Sequence, residues 1–132
     1  MPVRVRRTLA AAVALAALVA VGASAAPSNV PQITKISASP KTFCAKSSGS
    51  CSSTGTTIRF TMTTAARVIA DIRPRAHNVW GHKEFERRFP AGANQFRLND
   101  SRLTTGRWTL RLQGVNSVGA GPPSFIDVHV VK

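Results

Sequence analysis

Apolar and polar residues alternate with a period of two in several stretches of the chain. The clearest stretches cover residues 58–62, 68–73, 96–98, 108–113 and 126–130. Successive side chains of a β-strand point to opposite faces, so each stretch is typical of a strand that buries one face and exposes the other. Residues 33–36 and 85–89 have a weaker pattern of the same kind. The sequence therefore predicts an all-β domain, a single antiparallel β-sandwich of about seven strands.

The N-terminal segment has a different composition. Three arginines within the first seven residues precede an apolar run at residues 9–21 and an A-x-A-like end at residues 23–25. This is the layout of a cleaved signal peptide, and the run is shorter than the roughly 20 apolar residues of a membrane span. We therefore expect a signal peptide at residues 1–26 and the β-sandwich domain at 27–132. The mature protein should be secreted, extracellular or held at the cell wall, without a transmembrane anchor.

The two cysteines, Cys44 and Cys51, lie close together in a polar segment. In an exported protein this arrangement favours a disulfide bond, which would stabilise the fold by about 2–3 kcal/mol because the closed loop is short. A metal-binding thiolate pair is not expected, since C-x-x-C spacing and a nearby histidine are both missing. Two roles remain open for the loop: a constrained recognition loop, as in secreted inhibitors, or a bridge that fixes a long serine-rich connection.

The last third of the chain carries a family resemblance. Residues 103–110 (LTTGRWTL) and 114–124 (GVNSVGAGPPS) resemble the end of a fibronectin type III or related immunoglobulin-like domain. In that family a leucine and a glycine precede an aromatic residue on strand F, and an N-x-x-G-x-G turn leads into strand G. The resemblance covers residues 103–130 and implies an immunoglobulin-like strand order. Trp108 stands where the family has tyrosine, so the hydroxyl that ties the corner before strand F is missing.

Basic residues greatly outnumber acids after the predicted signal peptide. Residues 27–132 contain 15 of the 18 Lys and Arg and all five acids, which gives a net charge of +10. With the implied strand order, outward arginines of two neighbouring strands share one face, with a further arginine at its edge. These candidate binding residues are Arg67, Arg73, Arg75, Arg107 and Arg111. Guanidinium groups bind phosphate and carboxylate in a bidentate way, so this face predicts an anionic partner.

The positive charge can also arise in two ways that require no partner. The arginines can form a solvated sheet surface with cross-strand ion pairs to Asp71 and Asp127, each pair contributing at most about 1 kcal/mol. An alanine- and arginine-rich composition is also typical of proteins from GC-rich genomes, whatever their function. A separate explanation applies to the charged residues between 83 and 88: they can prevent edge-to-edge aggregation and need have no further function.

Catalytic residues are not indicated. The acids are Asp71, Glu84, Glu86, Asp100 and Asp127, and the pattern places them beside basic residues as solvated partners rather than in a sheltered cleft. Motifs for a nucleophile elbow, a zinc protease or a phosphate loop are missing. We therefore expect no enzyme activity and no cofactor. Sequence-specific binding of nucleic acid is not expected either, because the chain lacks tyrosine and an RNP-like aromatic pair.

Residues 74–83 form the most chemically varied loop. Trp80 can stack on a ligand ring or cover the end of the core, and His77 and His82 can contribute to binding or remain solvated. A metal site is not expected, because such sites need three or four ligands held in place.

The sequence as a whole predicts a secreted, non-catalytic binding or adhesion module. Its partner would be an anionic cell-envelope polymer, bound by the arginine-rich face, or another extracellular protein. The alternative is a secreted inhibitor or small-ligand carrier that acts through the disulfide loop and its neighbours.

Overall fold

The structure, a computed structural model, describes residues 29–47, 51 and 53–132. The predicted signal peptide at residues 1–26 lies outside the described residues. The described part is all-β, as predicted, and contains no helix that is long and apolar enough to cross a membrane. Its strands are β1 (Ile33–Ser39), β2 (Thr42–Cys44), β3 (Thr56–Met62), β4 (Ala66–Pro74), β5 (His82–Phe89), β6 (Gly92–Leu98), β7 (Gly106–Val115) and β8 (Ser124–Val131).

The strands form two sheets. One has the order β1-β3-β6 and the other has the order β2-β8-β7-β4-β5. Neighbouring strands are antiparallel, as predicted, except that β2 runs parallel to β8. Only Pro40 and Lys41 separate β1 from β2, so the chain bends there, leaves the first sheet and joins the edge of the second. The sequence pattern did not predict β2, because three residues are too few to show alternation.

The apolar faces that the alternation predicts meet between the two sheets. Ile58, Phe60 and Met62 of β3 are at most 2% exposed, and the inward residues of β4 and β7 are at most 7% exposed. Full burial of an aliphatic or aromatic side chain contributes about 1.5–3 kcal/mol relative to exposure. The shared core therefore holds the sheets face to face in a sandwich-like arrangement.

Aromatic side chains close the side of the sandwich where the edge strands β5 and β6 approach each other. Phe85 of β5 and Phe96 of β6 pack edge to face, with ring centroids 4.7 Å apart and planes at 82°. Phe89 of β5 packs in the same way on Phe60 of β3 at 5.1 Å. Such pairs contribute about 0.5–1.5 kcal/mol beyond the buried area. They fix β5 against the other sheet and so position the polar residues of that edge.

The predicted disulfide between Cys44 and Cys51 is confirmed, with Cα atoms 6.3 Å apart. It joins the end of β2 to the connection that leads into β3. At the same place the Gly55 N–H donates a hydrogen bond to the Cys44 carbonyl at 2.8 Å. Gly55 has φ of +79°, a conformation that side chains other than glycine's rarely adopt.

The corner before β7 is tied by a side chain that the resemblance did not suggest. The indole Nε1–H of Trp108 donates to the carbonyl of Thr104 at 2.8 Å. The Trp108 ring is buried in the core, at 7% exposure. A tyrosine hydroxyl is therefore not needed here, because the indole N–H holds the loop between β6 and β7.

Candidate functional site

The outward side of β4, β7 and β8 forms an extended polar surface, which we call the arginine face. Its residues are Arg67, Asp71, Arg73, Arg107, Thr109, Arg111, Phe125 and Asp127. Antiparallel pairing places Asp71 opposite Arg111 and Arg73 opposite Thr109, while Arg107 lies opposite His129 of β8. Side chains of paired residues point to the same side, so the four strand arginines share one face of the five-stranded sheet.

Three of the five candidate arginines form ion pairs. Arg111 donates to Asp71 at 2.8 Å, Arg67 lies 2.9 Å from Glu86, and Arg75 lies 3.4 Å from Asp127. The Arg67 and Arg75 side chains are about half exposed, and such surface pairs contribute at most about 1 kcal/mol each. Cross-strand pairing therefore accounts for part of the arginine content of the face.

Trp80 lies on the outside of the sheet and extends across the arginine face. The guanidinium carbons of Arg73 and Arg111 are 4.6 and 4.2 Å from the centroid of its ring. Its ring also stacks on Phe125 of β8 at 6.1 Å with an interplanar angle of 22°. The interpretation that Trp80 covers the end of the core is wrong, because its ring contacts lie on the outward side of the sheet.

A hydrogen bond fastens the loop of Trp80 to the same face. Arg73 Nη1 donates to the backbone carbonyl of His77 at 2.7 Å. His77 itself is exposed in the loop between β4 and β5. The arginine face is thus a connected surface in which guanidinium groups and two aromatic rings lie together, with Phe125 50% exposed.

Arg107 differs from the other arginines of the face. Its side chain is exposed and forms no ion pair within the part of the chain that the structure describes. All five acids already contact a basic side chain: Asp71 with Arg111, Glu84 with His82, Glu86 with Arg67 and Lys83, Asp100 with Arg102, and Asp127 with Arg75. The positive charge of Arg107 therefore faces solvent and is not neutralised by an ion pair with a described carboxylate.

His82 does not join Trp80 and His77. It begins β5 opposite the buried Ile72, and its Nε2 lies 2.8 Å from Glu84 Oε2 and 2.8 Å from Asp100 Oδ2. We call His82, Glu84 and Asp100 the His82 cluster. The carboxylate side chains are 9% and 8% exposed, and that of His82 is 26% exposed. The sequence places His77, Trp80 and His82 in one loop, but in the fold His82 lies apart from the other two.

Arg102 holds Asp100 in position. Its Nε donates to Asp100 Oδ1 at 2.9 Å and its Nη2 to Oδ2 at 3.0 Å, and its backbone N–H also donates to Oδ1 at 2.9 Å. Burial acts to raise the pKa of Asp100, but these bonds and that with Glu84 hold the pKa well below its ordinary value. Asp100 therefore carries its negative charge at neutral pH.

The pKa of the Glu84 carboxyl is shifted in the opposite direction. Burial, together with the hydrogen bond to Asp100 and the charge of Asp100, raises the pKa of Glu84 to about 7, although His82 opposes the shift. The prediction of a solvated carboxylate at this position is wrong. A β-bulge between Ala70 and Asp71 makes Glu84 an extra residue of β5 and turns it from the outward face.

Two clefts lie at the end of the sandwich and share Thr104 and Thr105. One, of 390 Å³, is lined by the disulfide loop at residues 45–47 and by the end of β8. The other, of 590 Å³, is lined by Arg75 and Ala76 and by the start of β7. The disulfide loop and the β4–β5 loop therefore reach the same end of the sandwich, but Trp80 itself lies on the arginine face.

The chain matches no protein-family model, no curated protein and no solved structure.

Proposed function

We propose that the protein is an exported, non-catalytic binding module of the immunoglobulin-like class that holds anionic extracellular polymers on its arginine face. The strand order supports the class, since β4, β7 and β8 are adjacent in one sheet, as strands C, F and G are in immunoglobulin-like domains. The disulfide bond supports an oxidising compartment.

The observation that carries the proposal is the distribution of charge. Every acid is engaged with a basic partner, whereas Arg107 of the arginine face and Arg88 of the adjoining strand β5 are exposed and form no ion pair among the described residues. Guanidinium donors that lack a carboxylate partner are available to a carboxylate or phosphate from outside. The face therefore offers net positive charge to an anionic ligand.

The shape of the face favours a polymer over a small anion. The arginines are spread along neighbouring strands of an open sheet, so a ligand has to be extended to reach several of them. Trp80 and the half-exposed Phe125 add ring surface beside the guanidinium groups. A polymer of acidic sugars has both the anionic groups and the apolar ring faces that such a surface binds.

Binding to defined polymers tests the proposal. The protein is titrated with polygalacturonate, which carries carboxylates, and with polyphosphate, while neutral dextran serves as the control polymer. We expect binding that weakens steeply as salt is added, because ions screen exposed charges within about 8 Å at physiological ionic strength. No binding to either polymer at low salt would overturn the proposal.

A matched pair of variants locates the binding surface. Arg107→Ser removes an exposed charge from the arginine face, and Arg59→Ser removes an exposed charge from the outward side of β3 in the other sheet. Arg107→Ser should weaken binding several-fold more than Arg59→Ser. Equal effects of the two variants would show that overall charge, rather than the arginine face, is responsible.

The clefts at the end of the sandwich support a second candidate, a small-ligand carrier. The 390 Å³ cleft lies beside the disulfide loop and has the apolar residues Ala45, Leu103 and Val130 in its lining. A neutral apolar probe such as Nile red should then bind independently of salt and lose its site when the disulfide is reduced. Binding that survives reduction would argue against this cleft.

A further inference from the structure

The His82 cluster brings together three side chains that commonly bind metal ions, and it lies apart from the arginine face. His82 and Glu84 belong to β5 of one sheet, whereas Asp100 follows β6 of the other. One ligand atom from each, His82 Nε2, Glu84 Oε2 and Asp100 Oδ2, lies within 4.8 Å of the other two. The cluster therefore spans the side of the sandwich that the aromatic residues close.

The hydrogen bonds within the cluster depend on protons shared between closely spaced ligand atoms. Nε2 of His82 lies 2.8 Å from each of two carboxylate oxygens, but an imidazole nitrogen carries at most one proton. It can donate to only one of the two oxygens in a direct bond. A cation placed among the three atoms would instead contact the nitrogen lone pair and both oxygens at once.

We propose that His82, Glu84 and Asp100 bind a divalent transition-metal ion of the Zn²⁺ type, with water completing the coordination. The ligand atoms of a tetrahedral Zn²⁺ site with bonds of about 2.0–2.2 Å lie about 3.4 Å apart. The two distances of 2.8 Å would have to increase by about half an ångström, which small side-chain rotations provide. A histidine nitrogen in the set favours Zn²⁺ over Ca²⁺ and Mg²⁺, which prefer oxygen ligands.

Arg102 is placed to orient one ligand of this site. Its backbone N–H and its Nε donate to Asp100 Oδ1 and hold that oxygen in place, while its Nη2 donates to Oδ2, the proposed ligand atom, at 3.0 Å. Partners of this kind hold the ligands of known metal sites in place. The Nη2 of Arg102 also lies 3.7 Å from Glu84 Oε2 and must move away when the ion enters. Its side chain is 64% exposed, so it has room to do so.

Titration with the metal alone tests the proposal. The protein is freed of metal with EDTA, dialysed and titrated with Zn²⁺ in a calorimeter, with Ca²⁺ in a parallel experiment. We expect one equivalent of Zn²⁺ to bind and to raise the melting temperature, because the ion joins β5 to the segment after β6. Absence of a stoichiometric site, or binding of Ca²⁺ in its place, would overturn the proposal.

Variants assign the ligands. Glu84→Gln keeps the shape of the side chain, and His82→Ala removes the nitrogen ligand; each should weaken Zn²⁺ binding at least about tenfold. His77→Ala, which removes the exposed loop histidine, should leave Zn²⁺ binding unchanged. Retained affinity in Glu84→Gln and His82→Ala would mean that Zn²⁺ binds elsewhere.

A measurement on the unaltered protein covers the case in which a variant does not fold. The imidazole ¹⁵N resonances of His82 should shift on addition of one equivalent of Zn²⁺, with those of His77 and His129 unaffected. A His82 signal that does not move would overturn the proposal. This site is separate from the arginine face, so polymer binding can fail while Zn²⁺ binding is confirmed, and the reverse.

Discussion

Trp80 and Phe125 stack on the outside of the five-stranded sheet, although one lies in the β4–β5 loop and the other in the last strand. Their ring centroids are 6.1 Å apart, and the guanidinium groups of Arg73 and Arg111 lie over the Trp80 ring. The indole thus connects a loop to three strands of the sheet, β4, β7 and β8. This contact makes the loop part of the arginine face.

Trp80→Ala should lower the free energy of unfolding by about 2 kcal/mol. The variant removes two cation–π contacts, each contributing about 0.5–1 kcal/mol at exposed sites, and one aromatic pair. Denaturant unfolding measures the change. The neighbouring Val79, 79% exposed, provides the control, because Val79→Ala should change stability by less than about 0.5 kcal/mol. Similar values for the two variants would show that the indole contributes no contact of its own.

The hydrogen bond from the Trp108 indole to the Thr104 carbonyl leads to a second prediction. Trp108→Tyr and Trp108→Phe both reduce the size of the ring in the core, but only tyrosine keeps a side-chain donor in place of the indole N–H that binds the Thr104 carbonyl. We expect the tyrosine variant to be more stable than the phenylalanine variant by about 1 kcal/mol, the usual net contribution of one hydrogen bond. Equal denaturation midpoints would show that the corner does not depend on this bond.

The sequence predicted the fold well because alternation follows directly from strand geometry. Ile58, Phe60 and Met62 needed only the period of two to be assigned to the core. The same rule failed for Glu84, because a bulge adds one residue and turns the side chain. Bulges depend on pairing between strands, which a single strand's pattern does not contain.

The functional sites were less predictable for a related reason. Asp100 and His82 are 18 residues apart in the chain. They come into contact only because the edges of the two sheets approach each other. Trp80 lies in a loop, where side-chain periodicity gives no information. The arginines of β4 and β7, in contrast, could be assigned to a common face, because alternation gives the outward side of each strand and the strand order implied by the resemblance makes the two strands neighbours.

Stability in the presence of EDTA should depend on pH through Glu84. The folded state raises the pKa of this carboxyl from its ordinary 4.5 to about 7, chiefly by burial. Between these values the folded protein binds the proton more readily than the unfolded chain, so stability falls as pH rises from about 4.5 to 7 and is constant above that range. The loss should be at most about 3 kcal/mol.

Glu84→Gln isolates this effect, because glutamine does not titrate. Its free energy of unfolding should change less than that of the unaltered protein between about pH 4.5 and 7. Asp100, whose pKa the folded state holds low, acts in the other direction: stability from this residue is lost as pH falls below its ordinary pKa of 3.8. Identical pH profiles for Glu84→Gln and the unaltered protein would contradict the assignment to Glu84.

Removal of an acid from the edge of the arginine face should strengthen polymer binding. Glu86 forms ion pairs with Arg67 and Lys83, each at 2.9 Å. Glu86→Gln therefore removes one negative charge and frees two cations. We expect affinity for polygalacturonate at low salt to rise several-fold and to decrease more steeply with added salt. Asp127→Asn, which frees Arg75 on the same face, should act in the same direction. Weaker binding by both variants would mean that these acids contact the ligand, and that the exposed guanidinium groups do not determine its affinity.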